Sequence, residues 1–320
     1  MAIVMLCLIL VALCSSAEAQ QGTKMPRIGW LRSNGSGASL ELFKRELRQL
    51  GYVEDRNIVF EHRTTEGKVD RLSALADELA RLKVDVLLTS STEVAIVLKN
   101  TTRTIPIVFL FVSDPVAAGL VDSLARPGGN ITGFTNISPV LSGKRLELLK
   151  QTVAKLSRIS VLWNPQSENS AQQWKESQVA ARDLHLELHS MEISSADKYE
   201  SAFREAQKAR IGALAVTQHT LFSSNQKQIA ELATKNRLPT IYPRGDYAAH
   251  GGLMSYGPDR IEPYRRGAVF VDRILKGAKT ADLPVEQPTK FELIVNLKTA
   301  EQIGLTIPPN VLARADRVIK

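Results

Sequence analysis

Six short clusters of hydroxyl, amide and charged side chains have the chemistry to hold a small polar molecule. Thr89-Ser90-Ser91-Thr92 stands before an apolar run, Val94 to Leu98, that can continue as a helix. Backbone N–H groups at a helix start, with hydroxyls beside them, suit a carboxylate without an arginine. Ordinary helix capping by Ser and Thr would look the same. Ser33 and Asn34 open a Ser-Asn-Gly-Ser-Gly loop whose glycines allow backbone to approach a ligand closely. Ser113 and Asp114 could receive an ammonium group, although Asp-Pro also opens turns. Further along stand Asn164, the pair Gln218-His219, and Arg244 with Asp246. A zwitterion could place its amine on Asp246 and its carboxylate on Arg244; the alternative is that the two neutralise each other, a surface ion pair worth about 0 to 1 kcal/mol. Tyr242 and Tyr256, with Trp30, Phe111 and Trp163, are candidate walls for a ring, a minority of them facing a ligand because strand aromatics are mostly core.

Catalytic patterns are absent. The chain has no G-x-S-x-G elbow and no H-E-x-x-H pair, and its two cysteines, Cys7 and Cys14, lie in the first 14 residues. His185 and His189 are four apart but in an alternating strand pattern, so they do not share a helical face for a metal. Gly35-Ser36-Gly37, with Glu61 further on, partly resembles a dinucleotide loop, yet Leu40 stands at the third glycine. A nucleotide-cofactor enzyme is therefore a weak alternative. Neither metal nor cofactor is expected.

These clusters need elements that bring them together. From Arg27 onward, short β-branched runs alternate with amphipathic stretches, the pattern of a parallel sheet wrapped by helices. Strands are predicted near 27–31, 57–62, 84–88 and 106–111. The order returns about 130 residues later: Arg158 to Leu162 repeats the first strand, Leu186 to Met191 the second, Ile211 to Val216 the third, and Leu238 to Tyr242, opened by Pro239, answers Ile105 to Phe109, opened by Pro106. The predicted fold class is α/β, two similar doubly wound parallel-sheet lobes joined by crossing segments. One lobe is expected to take residues 25–135 plus about 255–285, the other 136–254 plus about 286–320. Ile131 to Phe134 is read as a first crossing, Gly251 to Tyr256 as the return, and Glu262 to Leu275 as a helix packed on the first lobe. Several crossings make a hinge, and a hinge makes a closing cleft. Ligands in open parallel sheets collect at the carboxyl ends of strands, which is where all six clusters fall.

Residues 1–19 read as a cleavable secretory signal: an uncharged apolar stretch ends in Ala17-Glu18-Ala19. Its n-region lacks Lys or Arg, so either the amino terminus supplies the charge or translation starts upstream. Leu6 and Leu13 precede the cysteines where an acylated cysteine needs a small residue, which argues against a lipoprotein. A periplasmic location and a protein without disulfides follow. Loss of Glu18, the sole charge among the first 19 residues, takes the formal +8 to +9. The basic residues are interspersed with carboxylates, as in Lys44-Arg45-Glu46 and Arg204-Glu205, so a solvated surface explains them better than nucleic-acid binding.

Longer motifs carry a resemblance. Ser113-Asp-Pro-Val116, Leu124-Ala-Arg-Pro-Gly-Gly-Asn-Ile-Thr-Gly133, Leu141-Ser-Gly-Lys-Arg-Leu-Glu-Leu-Leu149, Val161-Leu-Trp-Asn-Pro165, Gly252-Leu-Met-Ser-Tyr-Gly-Pro258 and Glu286-Gln-Pro-Thr-Lys-Phe-Glu-Leu293 resemble the ABC transporter substrate-binding family often labelled as tryptophan/tyrosine transport binding proteins. The resemblance runs in order along nearly the whole chain after the leader. It implies a type I periplasmic-binding fold, a ligand enclosed between lobes, and a permease and ATPase as partners, with the binding protein itself expected to be a monomer. Gln218-His219 departs from the acidic-proline pair the resemblance leads one to expect, so the ligand stays open among amino acids and aromatic or carboxylate compounds. A periplasmic sensor of the same fold is the alternative function.

Overall fold

A computed structural model of the chain describes residues 25–33, 37–66, 68–259 and 261–320. The expected signal segment, both cysteines, Asn34 and the Gly35-Ser36 step lie outside the described residues.

The first half alternates strand and helix in the order β1 (Arg27–Arg32), α1 (Ala38–Gln49), β2 (Val59–Thr64), α2 (Leu72–Arg81), β3 (Val86–Thr89), α3 (Thr92–Thr101), β4 (Ile107–Val112) and β5 (Ile131–Thr135). The second half repeats it as α4 (Ser142–Thr152), β6 (Arg158–Trp163), α5 (Glu168–Asp183), β7 (Glu187–Glu192), α6 (Tyr199–Lys208), β8 (Ala213–Val216), α7 (Thr220–Ser224), α8 (Gln226–Lys235), β9 (Thr240–Tyr242), α9 (Asp246–Ala249) and β10 (Met254–Pro258). The chain closes with α10 (Glu262–Leu275), β11 (Phe291–Asn296), α11 (Leu297–Ile303), α12 (Pro309–Leu312) and β12 (Arg317–Ile319).

Two separate sheets result, ordered β2-β1-β3-β4-β5 and β12-β11-β10-β9-β8-β6-β7. The core of the second, β7-β6-β8-β9-β10, has the order of the first, so the duplication predicted from the strand spacing is present in the topology. It also reaches one strand further. Gly251 to Tyr256, expected above as the return crossing, runs instead into the strand Met254–Pro258, which pairs in parallel with β9 and is the counterpart of β5. Ile131–Thr135 likewise pairs with β4 instead of spanning the lobes. Both strands contain a glycine that lets their neighbour approach closely. A Cβ on Gly133 (φ +154°) would fall 2.0 Å from the Phe109 carbonyl oxygen, and one on Gly257 would fall 2.1 Å from that of Pro243.

The lobes are therefore joined at 136–141, after β10 and near 283–290. At the last of these, Thr135 and Glu286 meet through the Thr135 N–H to Glu286 carbonyl bond at 2.9 Å. Phe291–Asn296, within the segment expected in the second lobe, runs antiparallel to β10 and extends the second sheet, with β12 at its edge.

Each sheet is covered on both faces. Leu72, Ala76, Leu79, Leu87 and Phe109 build one core of the first lobe, and Ile28, Trp30, Phe43, Leu47 and Val108 the other. The second of these includes Tyr264, Ala268, Val271 and Ile274, spaced to share one face of α10, which returns from the second sheet to pack on the first. Pro263 in its first turn suits a helix start. Gly51, at φ +91°, ends α1 in the left-handed conformation, as its position after Leu50 predicts.

Candidate functional site

The carboxyl ends of the strands in the two lobes face each other. Three contacts fix this arrangement. Glu93 Oε2, in the first turn of α3, lies 3.4 Å from the Thr220 hydroxyl at the start of α7. Glu93 Oε1 lies 3.9 Å from His219 Nε2. The Arg244 guanidinium, after β9, sits over the Phe111 ring of β4 at 5.9 Å from its centroid.

On the first lobe's side, Arg32 ends β1 with 4% exposure and its guanidinium 5.5 Å from the Trp30 ring centre. Burial pulls its pKa down and the nearby Tyr264 phenol opposes that. Tyr264, at the start of α10, packs edge-on against Phe111 at 5.5 Å. The Thr89 hydroxyl, fully buried at the end of β3, has no hydrogen-bond partner among the described residues. Ser90, Ser91 and Thr92 follow, half-buried, where α3 begins. Ser91 is the N-cap: its Oγ accepts the Val94 N–H at 3.3 Å and donates to Glu93 at 2.7 Å. Ser33 is half-buried, and its carbonyl accepts from the Thr65 hydroxyl at 2.7 Å.

On the second lobe's side, Arg244 and Asp246 pair at 2.5 Å, with Gln226 also donating to Asp246 at 3.1 Å. Burial works against the Arg244 charge, but Asp246 and the Tyr264 and Tyr247 phenols outweigh it and raise its pKa. The two residues thus do neutralise each other, though in a largely enclosed place, Asp246 with 11% of its side chain exposed, instead of at the open surface. Gln218 is held by its backbone: its N–H donates to Gln173 Oε1 at 2.7 Å, and its carbonyl accepts from Asn169 and Gln173. His219 caps α7, its Nδ1 accepting the Leu221 N–H at 3.2 Å. Burial lowers the His219 pKa, and Glu93 opposes the shift.

Several sequence-based assignments are corrected. Asp114 is exposed, and its Oδ1 accepts the N–H groups of Val116 and Ala117, so it closes its own turn, the alternative raised for Asp-Pro above. Ser113 beside it is buried. Asn164 behaves similarly: Oδ1 accepts the Gln166 N–H at 2.9 Å. Tyr242 is a core residue, fully buried and stacked on Tyr247 at 4.5 Å, because its side chain leaves β9 on the face covered by α8. Trp30 packs on Phe43, and Trp163 stacks on Trp174 while donating to Ser190 of the neighbouring strand. Tyr256 stacks on Phe291 at 6.2 Å near the crossings. Of the five aromatics, Phe111 is the one seen against a charged group of the other lobe, Arg244.

The residues missed were Arg32, Glu93, Thr220 and Tyr264. Arg32 and Glu93 adjoin predicted clusters, so the strand-end rule applied one residue more widely would have included them. Tyr264 depends on where α10 docks, which no local pattern reveals. A groove of 780 Å³ opens at the opposite end of the first lobe, lined by Pro26, Asp85, Pro106 and Lys279. It lies at the amino ends of the strands, away from the facing loops, and gathers nothing from the second lobe. No group of three potential metal-ligating side chains occurs among the described residues.

Comparison with known proteins matches this geometry. The family model described as ABC transporter substrate binding protein matches residues 34–319. A tyrosine-binding protein of Clostridioides difficile is 28% identical over 264 residues, covering 82% of this chain and 75% of the relative. Among solved structures, a Streptococcus pneumoniae ABC domain in complex with L-Trp is 25% identical, with a TM-score of 0.84 over 92% of this chain and 99% of that one. The ligand-free, open structure of a Clostridium difficile substrate binding protein with adhesive properties, 26% identical over the same shares of both chains, scores 0.69. The two-lobed fold, the facing strand ends and the match along the chain lead to one conclusion: this chain belongs to the ABC transporter substrate binding protein family.

Proposed function

We propose that the protein captures an amino acid with an aromatic side chain between its lobes and delivers it to a membrane permease driven by an ATPase. The observation that carries this reading is the meeting of Arg32, Phe111 and Tyr264 from one lobe with Arg244 from the other. Guanidinium groups suit a carboxylate, and a flat ring with a neighbouring phenol suits an aromatic side chain. Ser90, Ser91 and Thr92 add hydroxyl and backbone donors at the start of α3. The relatives named for tyrosine and L-Trp support the same class.

Capture works by closure. A ligand that touches both lobes binds the closed form better, so it shifts the population toward that form, which the permease recognises. Residues 1–19 serve as the export signal, and the working location is the periplasm. No helix among the described residues is long and apolar enough to cross a membrane, so the membrane step falls to the partners.

The test is a thermal-shift screen against L-Trp, L-Tyr, L-Phe, aromatic acids, purines and small sugars. A ligand at 100 times its dissociation constant adds about 2.7 kcal/mol of stability. Stabilisation by aromatic amino acids is expected. A response confined to purines or sugars would overturn the assignment.

A further inference from the structure

Glu93 gathers donors from both lobes. Its Oε2 accepts from Ser91 of its own helix at 2.7 Å and lies 3.4 Å from the Thr220 hydroxyl, 127 residues away in sequence. Its Oε1 faces His219 Nε2 at 3.9 Å. The tautomer of that ring follows from its other nitrogen. Nδ1 accepts the Leu221 N–H, so the proton of the neutral ring sits on Nε2 and points toward Glu93. The ring packs on Phe222 at 5.4 Å between centroids, and 11% of the side chain is exposed. A further approach of the lobes by about 1 Å would bring both cross-lobe distances into hydrogen-bonding range.

We propose that Glu93, His219 and Thr220 form a latch across the cleft that stabilises the closed form whether or not ligand is present, and that this latch weakens when His219 takes up a proton. The proposal deepens the binding reading and rests on the lobes closing, not on which molecule they enclose.

Its pH dependence has a definite sign. In the open form His219 and Glu93 separate into water, where an imidazole titrates near its ordinary value of about 6.5. Nδ1 accepts the Leu221 N–H within its own lobe whether the lobes are open or closed, so what closing adds is the cover of Glu93 over the ring and Thr220, and the burial of the ring. Glu93 pulls the other way by favouring the imidazolium, and burial is the larger influence. Among the described residues Glu93 is the charged group that acts on the ring; α7 places only the uncharged Thr220 and Phe222 beside it. Closing therefore expels a proton. The latch is at full strength above the open-form pKa and fades as the pH falls below it.

The experiment has two arms, both on the purified protein. Small-angle scattering without ligand, at pH 8 and pH 5, reads the open population directly. Calorimetric titration with L-Trp over the same range reads affinity. Glu93→Ala and Thr220→Val are expected to enlarge the ligand-free radius of gyration at pH 8 and to weaken L-Trp binding about five-fold. His219→Gln is expected to flatten the pH dependence in both arms, and Glu93→Ala should cost less affinity in that background than in the unchanged chain. Glu93→Gln, equal in shape, replaces Glu93→Ala if circular dichroism shows misfolding. Scattering that is the same for all variants and at both pH values overturns the latch. If L-Trp does not bind the unchanged protein, the ligand assignment fails, and the scattering arm still decides the latch.

Discussion

Arg145 Nε donates to the carbonyl oxygen of Tyr256 at 2.9 Å, which ties the helix after the first crossing to the strand before the second. A second guanidinium nitrogen donates to Ser138, within the first crossing, at 3.3 Å. The side chain is 2% exposed, no carboxylate pairs with it among the described residues, and burial pulls its pKa down to about 9. Arg145→Met removes a costly buried charge but takes a donor from two carbonyls, of which that of Ser138 keeps the Ser142 hydroxyl at 3.3 Å; a buried carbonyl left unsatisfied costs about 1–3 kcal/mol. Faster amide hydrogen exchange at 136–141 and 256–258 than in the unchanged chain is the expected result. Exchange unaltered there would show that the arginine does not hold the crossings.

The two strand-end glycines make a paired prediction. At Gly133 and Gly257 an added Cβ meets backbone oxygen, which cannot rotate away. Gly133→Ala and Gly257→Ala should each lower stability in urea by about 1–3 kcal/mol, the usual cost of overpacking. Gly37→Ala, where the space is open, should change little.

Ser91→Ala removes the cap of α3 and the hydroxyl that holds Glu93. A loss of about 1 kcal/mol in urea unfolding is expected from the cap alone. Asp114→Ala, by contrast, should leave L-Trp affinity unchanged, since that carboxylate serves its own turn.

Arg244→Gln should weaken binding of L-Trp by about ten-fold or more, because a charge-assisted bond to a carboxylate in an enclosed place is lost. Asp246 is then left with less compensation, so a modest drop in melting temperature should accompany it. Equal titration curves for variant and unchanged protein would remove Arg244 from the site.

Stability should fall as the pH drops from 7 to 5, partly through His62. Its pKa is lowered by burial first and then by Arg32, Lys44 and Arg63. The unfolded chain therefore binds protons that the folded chain refuses, and below about 6.5 each step down in pH favours unfolding. Urea midpoints measured across this range should vary less in His62→Gln.

The sequence by itself determined the fold class and the family. Recurrent β-branched runs, proline-opened fourth strands and long ordered motifs are local features, and local chemistry is what a sequence displays. Strand ends were legible for the same reason, which is why Ser90, Ser91, Thr92, Gln218, His219, Arg244 and Asp246 could be expected in the loops that face each other.

Tertiary structure decided the rest. Whether Tyr242 lines a cleft or a core depends on which side of β9 it leaves, and whether Met254–Pro258 is a crossing or a fifth strand depends on β9 and β11 lying beside it. Asp114 and Arg32 are both charged residues at strand ends, and only their surroundings separate an exposed turn cap from a buried cation beside Trp30. The meeting of Glu93 with His219 and Thr220 requires two lobes to be folded and brought together. Such contacts arise from packing between distant segments, whose free energy no short stretch of chain encodes.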